Sequence, residues 1–161
     1  MMNAAGYDLA TIGNHEFDYG YEQLMLNMAK ANFQVLCANV SKDGKSIFDA
    51  NTIIEIEKGG MKIGFFGLET PEAQTKANPA LMKGLSFIGG KDLYKVTQED
   101  VDMARSEGNA DIVIALTHLG VDASSEPNRS IDFVKNVPDV DIVIDGHSHT
   151  VMTANKDNGM I

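Results

Sequence analysis

The sequence predicts one α/β domain, in which apolar strands alternate with helices. Segments 110–117 and 140–145 are nearly continuous apolar runs, a pattern typical of strands buried on both faces of a layered α/β protein. Between such runs lie segments with helical spacing of apolar residues, for example 21–31. The chain has 161 residues, of which 43% are hydrophobic. That length suits a single domain with a substantial core.

Local signals place the elements of the first half of the chain. Gly6 is a typical helix-ending residue, and Lys58-Gly59-Gly60 lies between two apolar runs, as in a hairpin. In chain order we expect a helix end at 1–6, a short buried strand at 8–12, a loop at 13–20, a helix at 21–31, a strand at 34–39, a polar loop at 41–51, and hairpin strands at 52–57 and 61–68.

The second half begins with a long irregular stretch, 69–84, which contains Pro71 and Pro79. Long loops in compact domains are often functional. Beyond it we expect a helix at 92–107 ended by Gly108, a buried strand at 111–117, a loop at 120–129, a short helix at 130–136 with Ser130 as its N-cap, a buried strand at 141–145, the start of another strand at 150–154, and a turn at 155–159.

Composition excludes several classes of function. The net charge is −10 and no basic cluster occurs, so nucleic-acid binding through charge is excluded. No apolar run is long enough to form a transmembrane segment. Cys37 is the single cysteine, so no intramolecular disulfide forms. An acidic protein that acts on an anionic substrate needs local positive charge, which a metal ion supplies.

All four histidines of the chain follow directly after strand-like runs. His15 comes after run 7–13, His118 after run 110–117, and His147 and His149 after run 140–146. In layered α/β proteins, ligands bind in the loops that follow the carboxyl ends of strands. Histidine is also the commonest metal ligand among side chains. The four positions therefore indicate one site assembled from three distant segments.

The first of these segments reads Gly13-Asn14-His15-Glu16-Phe17-Asp18-Tyr19-Gly20. Asn14 offers a carbonyl oxygen to a divalent ion. His15 and Asp18 lie three residues apart, so a helical turn would place them on one face. A carboxylate bonded to one imidazole nitrogen fixes the tautomer and favours the protonated ring. The alternative is a loop held by local Asn and Asp turn bonds, with a surface histidine.

The other two segments read Thr117-His118-Leu119-Gly120 and Asp145-Gly146-His147-Ser148-His149-Thr150. His147 and His149, two residues apart, point to the same side of an extended chain. Gly146 permits a close approach of backbone or ligand. Taken singly, His118 is equally explained as a structural histidine, and 145–150 as an exposed polar turn.

Together the three segments resemble the calcineurin-like metallophosphoesterases, in particular the 5′-nucleotidase/UDP-sugar hydrolase branch. A fourth segment, Lys62-Ile63-Gly64-Phe65-Phe66-Gly67-Leu68-Glu69-Thr70, is similar to a central strand of that family. The resemblance runs over nearly the whole chain and keeps the order of the motifs. It implies an α/β/β/α sandwich and the divalent-metal-dependent hydrolysis of nucleotide or nucleotide-sugar phosphoesters.

The resemblance also implies roles for the site residues. Asn14, His118 and His147 would bind one metal ion, and His149 would bind the other. His15 would be the catalytic histidine near the phosphoryl group, oriented by Asp18. Two such ions activate water and neutralise phosphate charge during in-line displacement. Mixed Asn, His and Asp sites accept manganese, iron, cobalt or zinc, so the metal identity stays open.

Family members carry further metal ligands, an Asp-x-His and a bridging Asp, before the Gly-Asn-His-Glu motif. Only 13 residues precede Asn14 here, and they contain neither. We therefore expect residues 1–161 to be a partial catalytic domain. Its N-terminal strands, its C-terminal part and the family's substrate-specificity domain are missing, its metal site is incomplete, and by itself it is inactive. For the parent protein the resemblance implies a periplasmic or cell-surface location.

Two alternatives remain open at this stage. The chain is a non-catalytic fragment that binds at most one metal ion weakly, or it belongs to a cyclic-nucleotide phosphodiesterase or sulfur-ester hydrolase branch of the same superfamily. In either case, missing strands would leave apolar edges uncovered, so we expect possible self-association through exposed strand edges.

Overall fold

The strands of this chain assemble into a four-stranded sheet and two smaller ones. The computed structural model describes residues 1–56 and 59–151. The strands are β1 (Leu9–Thr11), β2 (Gln34–Leu36), β3 (Val40–Lys42), β4 (Lys45–Ser46), β5 (Asn51–Ile56), β6 (Met61–Glu69), β7 (Leu85–Phe87), β8 (Ile112–His118) and β9 (Ile142–Asp145). The α-helices are α1 (Met2–Ala5), α2 (Tyr21–Met28), α3 (Ala73–Lys76), α4 (Gly90–Ser106) and α5 (Ser130–Asn136).

The larger sheet has the strand order β5-β6-β8-β9. The strand β5 is antiparallel to β6, whereas β6, β8 and β9 run parallel. In this register Glu69 at the end of β6 lies opposite His118, and Thr117 lies opposite Asp145. The carboxyl ends of the three parallel strands therefore meet at one edge of the sheet, and the segments that follow them emerge side by side.

The small parallel pair β1-β2 lies against the larger sheet. Thr11 donates a hydrogen bond from Oγ1 to the carbonyl oxygen of Leu36, at 3.0 Å. A Cβ atom at Gly67 of β6 would lie 2.1 Å from that same carbonyl oxygen, so only glycine permits this approach. The close contact places the end of β1, and with it the loop 13–20, over the edge of the larger sheet.

A buried asparagine ties the strand ends together. Asn39 donates from Nδ2 to the carbonyl oxygens of Glu69 (2.7 Å) and Ile88 (3.1 Å). Its Oδ1 accepts a hydrogen bond from the Glu69 backbone N–H, at 2.9 Å. One side chain thus satisfies backbone groups of two separate segments, which fixes the end of β6.

The core consists of two apolar clusters. The first lies between the larger sheet and helices α4 and α5, and includes Phe66, Leu68, Leu93, Val113 and Phe133. The second lies around the loop 13–20 and α2, and includes Ile12, Phe17, Leu24, Val40 and Leu85. Along β8, buried residues alternate with half-buried ones. The face of the larger sheet that carries the half-buried residues is therefore only partly covered.

Most of the predicted elements are confirmed, including the α/β class, the helix ended by Gly6 in a left-handed conformation, and the hairpin of β5 and β6. The loop predicted at 41–51 is wrong. Residues 40–46 form β3 and β4, which pair antiparallel across Asp43 and Gly44, both with positive φ. Strand β7, which pairs with β3, was also not predicted. These strands are too short to show a period of two.

Two details of the C-terminal half are also corrected. The predicted buried strand at 141–145 is β9, but among the described residues it is the outermost strand of its sheet, and its Ile144 is 57% exposed. Ser130 is not the N-cap of α5, because Arg129 precedes the helix and the Ser130 hydroxyl donates to the carbonyl of Gly120 instead. The strand predicted at 150–154 and the turn at 155–159 lie outside the described residues, apart from positions 150 and 151, which are not in a strand.

Self-association through exposed edges stays a prediction. Among the residues that the structure describes, no helix is long and apolar enough to cross a membrane.

Glu69 is a fully buried carboxyl group at the end of β6. Among the described residues, neither of its side-chain oxygens has a hydrogen-bond partner of good geometry. Burial, and then the charge of nearby Glu16, raise the pKa of Glu69 well above its usual value, and the backbone N–H of Thr70 offsets this only in part. The native state therefore favours the protonated acid.

We predict that Glu69→Gln stabilises the chain at pH 8 and has little effect near pH 4.5. Above the unfolded-state pKa, the unfolded chain ionises Glu69 while the native chain keeps the proton. The free energy of unfolding then falls as pH rises, by up to about 1.4 kcal/mol per pH unit until the native group ionises. The amide removes this loss. Urea unfolding between pH 4.5 and pH 8 measures this loss, with exposed Glu107→Gln as control. An equal effect of Glu69→Gln at both ends of the pH range contradicts the prediction.

Candidate functional site

Three segments that are distant in sequence meet at the carboxyl ends of β1, β8 and β9. The side-chain oxygen of Asn14 lies 3.1 Å from His118 Nε2 and 3.1 Å from His147 Nδ1. The centroids of the two imidazole rings are 5.1 Å apart. The structure therefore brings together three of the residues that the sequence singled out, across separations of 104 and 133 residues.

Glycines at the strand ends make room for the imidazole ring of His118. A Cβ atom at Gly13 would lie 2.8 Å from His118 Nε2, and one at Gly146 would lie 3.1 Å from His118 Nδ1. The His118 ring is therefore held between two backbone segments without side chains. This explains why glycine stands immediately before both Asn14 and His147.

The carboxylate of Asp145 fixes the two histidine-bearing loops relative to each other. Its Oδ1 accepts hydrogen bonds from Thr117 Oγ1 (2.7 Å) and from the backbone N–H groups of Leu119 (2.9 Å) and Gly120 (3.2 Å). The chain after β8 is thus tied to the last residue of β9. His118 and His147 are held by the same set of contacts.

The loop after β1 forms a short 3-10 helix, Asn14–Phe17. Buried Phe17 anchors it in the core, and the Glu16 carboxylate accepts a hydrogen bond from the Gly13 backbone N–H, at 2.7 Å. The helical turn places His15 Nδ1 2.9 Å from Asp18 Oδ2, with the two side chains 77% and 49% exposed. The predicted pairing of His15 with Asp18 is therefore present, and the ring is open to solvent.

The environment keeps His118 neutral. Burial, and then the neighbouring His147, lower the pKa of His118 to about 4, and Asp145 offsets part of the shift. The charges of His15 and His149 lower it further. His149 is exposed, with φ of 52°, and makes no hydrogen bond to the cluster within the described residues. A neutral imidazole is the form that binds a metal ion.

The structure adds one residue that sequence reasoning missed. Glu72, which precedes α3, places Oε2 3.1 Å from His147 Nε2 and 2.5 Å from Lys76 Nζ. Its stretch, 69–84, stood out only as a long loop, and no spacing rule connects an acid there to a histidine 75 residues later.

The donor atoms fit a divalent cation. In octahedral geometry, two adjacent ligands about 2.1 Å from one ion lie roughly 3.0 Å apart, close to the 3.1 Å separations around Asn14 Oδ1. No group of three or more His, Cys, Asp or Glu side chains within ranges 1–56 and 59–151 is arranged to hold a metal ion. The convergent set instead combines one amide oxygen with two imidazole nitrogens.

Comparison with known proteins gives a consistent assignment. The family model described as "Bacterial capsule synthesis protein PGA_cap" matches residues 1–160. The chain is 35% identical to the 2′,3′-cyclic-nucleotide 2′-phosphodiesterase/3′-nucleotidase of Haemophilus influenzae, over 92% of this chain and 24% of that protein. It is 30% identical to the 5′-nucleotidase of Vibrio cholerae, over 91% of this chain and 27% of that protein.

A solved structure agrees with these relatives. The crystal structure of the calcineurin-like phosphoesterase YfkN from Bacillus subtilis superposes with a TM-score of 0.80 and 28% sequence identity, over 96% of this chain and 49% of that one. This chain spans about a quarter of the length of the two curated relatives.

We predict that Gly13→Ala destabilises the chain only when the His118 ring is present. The backbone of Gly13 suits any residue (φ of −124°, ψ of 177°), so the added methyl group acts through its 2.8 Å clash with that ring. Overpacking of this kind costs ~1–3 kcal/mol. Thermal melts of Gly13→Ala, His118→Ala and the double variant measure the coupling. Additive effects in the double variant would show that no clash exists.

Proposed function

This chain belongs to the calcineurin-like phosphoesterases, in the family that the PGA_cap model describes, and from that membership we propose that it carries out metal-dependent hydrolysis of nucleotide phosphoesters. The observation that supports this most is the convergence of Asn14, His118 and His147 at the carboxyl ends of their strands. Ligand sites of layered α/β proteins lie at that edge.

In this proposal Asn14 Oδ1, His118 Nε2 and His147 Nδ1 would hold one divalent ion, and His149 would contribute to a second. Manganese, iron, cobalt and zinc all suit such donors. When bound, the ions supply an activated water and positive charge for the phosphoryl group. That charge offsets the acidity of a protein whose net charge is −10. The trio contains no anionic ligand, so we expect this chain by itself to bind the ion weakly.

His15 and Asp18 provide the proton chemistry. The Asp18 carboxylate bonds to His15 Nδ1, which leaves the other ring nitrogen, Nε2, open to solvent, where a phosphoester would bind. A protonated His15 can then donate from Nε2 to the oxygen that leaves the phosphorus atom. Asp18 holds the ring in the orientation that this transfer needs.

Two substrate classes follow from the relatives. The Vibrio cholerae protein is named a 5′-nucleotidase, and the Haemophilus influenzae protein is named for 2′,3′-cyclic nucleotides and 3′-nucleotides. We propose 5′-nucleotides first, because the motifs resemble that branch. The 2′,3′-cyclic nucleotides are the second candidate.

We predict that phosphate release by the complete protein encoded by the gene depends on a divalent ion and on His15. Chelation should abolish release of phosphate from 5′-AMP, and manganese, cobalt or zinc should restore it. His15→Ala should lower kcat by about 10²–10⁴-fold while the metal content stays unchanged. Glu99→Gln, at an exposed position of α4, is the matched control. Full activity in chelator, or an undiminished kcat in His15→Ala, would contradict the proposal.

We predict that His118→Asn and His147→Asn each weaken metal binding by this chain, whereas His15→Ala does not. The first two substitutions remove nitrogen atoms that face Asn14 Oδ1, and His15 is bonded to Asp18 instead. Titration calorimetry with cobalt or zinc measures the effect. Equal affinities for all three variants and the unchanged chain would reject the assignment of ligands.

A further inference from the structure

We infer that Glu72 is a positioning residue, whose carboxylate holds the His147 ring so that Nδ1 faces Asn14 as a free electron pair. This inference rests on the proposed function, because it concerns how that site is oriented. It assigns a role to the long stretch 69–84, which the resemblance left without one.

The contacts on the two ring nitrogens of His147 carry the inference. Nε2 lies 3.1 Å from Glu72 Oε2, and Nδ1 lies 3.1 Å from Asn14 Oδ1. A neutral imidazole carries one proton, which goes to the stronger acceptor. A carboxylate accepts a hydrogen bond more strongly than an amide oxygen. The proton therefore sits on Nε2, and the electron pair of Nδ1 points toward Asn14.

That arrangement is repulsive unless a cation lies between the two atoms. The Nδ1 electron pair and the Asn14 oxygen are both electron donors, and His118 Nε2 is a second nitrogen at the same distance from that oxygen. Metal-ligating histidines commonly donate their second ring N–H to a carboxylate, which fixes the tautomer and raises the basicity of the ligating nitrogen. Glu72 matches this partner in position and in charge.

Burial and neighbouring contacts hold Glu72 in position. The Glu72 and His147 side chains are only 15% and 10% exposed. The Glu72 backbone N–H donates to Thr70 Oγ1, at 3.3 Å, at the start of the turn that leads into α3. Glu72 Oε2 also lies 2.5 Å from Lys76 Nζ. The carboxylate that faces His147 is thus held from several sides.

The competing explanation is that Glu72 only pairs with Lys76, which lies four residues later at the end of α3. In that case the contact with His147 would be incidental. The two explanations differ for Lys76→Met, which removes the lysine charge and leaves the carboxylate beside His147. A positioning role requires Glu72 and not Lys76.

The first test reads the His147 tautomer without any metal. Long-range proton–nitrogen correlation spectra of the ¹⁵N-histidine-labelled chain at pH 8 report which ring nitrogen carries the proton. We expect Nε2–H in the unchanged chain and in Lys76→Met. In Glu72→Ala the proton should move to Nδ1, where Asn14 Oδ1 is the remaining acceptor. The same tautomer in both Glu72→Ala and the unchanged chain, or a proton on Nδ1 in the unchanged chain, overturns the inference.

The second test measures zinc affinity by titration calorimetry. Loss of such a carboxylate partner typically weakens metal binding by about 10–100-fold, so we expect that range for Glu72→Ala. Glu72→Gln keeps the shape and one acceptor oxygen, and should fall between Glu72→Ala and the unchanged chain. It also replaces Glu72→Ala in both tests if far-ultraviolet circular dichroism shows that the alanine variant is unfolded. Lys76→Met and Glu99→Gln should bind zinc as the unchanged chain does.

Failure of this inference is distinguishable from failure of the proposed function. If zinc binding depends on His147 but not on Glu72, the inference is wrong and the metal site stands. If the chain binds no zinc, the metal site is wrong, and the tautomer spectra alone decide whether Glu72 orients His147.

Discussion

The shared contact of Asn14 with two histidines is the interaction on which the rest of the site depends. A single amide oxygen, 3.1 Å from nitrogen atoms of both His118 and His147, joins the end of β1 to the ends of β8 and β9. It is possible because β6, β8 and β9 are parallel and end at the same level, and because Gly67 lets the small sheet approach the larger one. Because β6, β8 and β9 run parallel, their carboxyl ends lie at one edge of the sheet. The close approach at Gly67 brings the end of β1 to the same edge.

Charge is arranged around this contact in layers. At the centre are an amide oxygen and two imidazole nitrogens, and burial keeps His118 uncharged. Two carboxylates surround them without facing the Asn14 oxygen. Glu72 contacts the far ring nitrogen of His147, and Asp145 accepts a hydrogen bond from the backbone of the loop after β8. In the proposed metal site, the surrounding acids would attract a cation while the central atoms would contact it. Such a cation would also supply the positive charge that the proposed action on anionic phosphoesters needs in a chain whose net charge is −10.

Much of this site could be predicted from the sequence, because its signals are local. Asn14, His118 and His147 each follow an apolar run, and the His15–Asp18 spacing needs only one helical turn. The role of Glu72 could not be predicted, since its partner is 75 residues away. The sequence of an irregular loop also does not indicate where its side chains point. The prediction that β9 is buried was wrong for a similar reason. An apolar composition does not reveal that, among the described residues, the strand lies at the edge of its sheet. The roles of the site residues remain proposals.

The separations of 104 and 133 residues between the contacting side chains have a consequence for the order of assembly. Contacts between residues so far apart form late, because the chain must first close large loops. During synthesis from the N-terminus, Asn14 emerges long before either histidine, and its partners exist only once β9 has been made and has docked beside β8. A cation that binds the finished cluster would therefore stabilise the fully folded chain and not a folding intermediate.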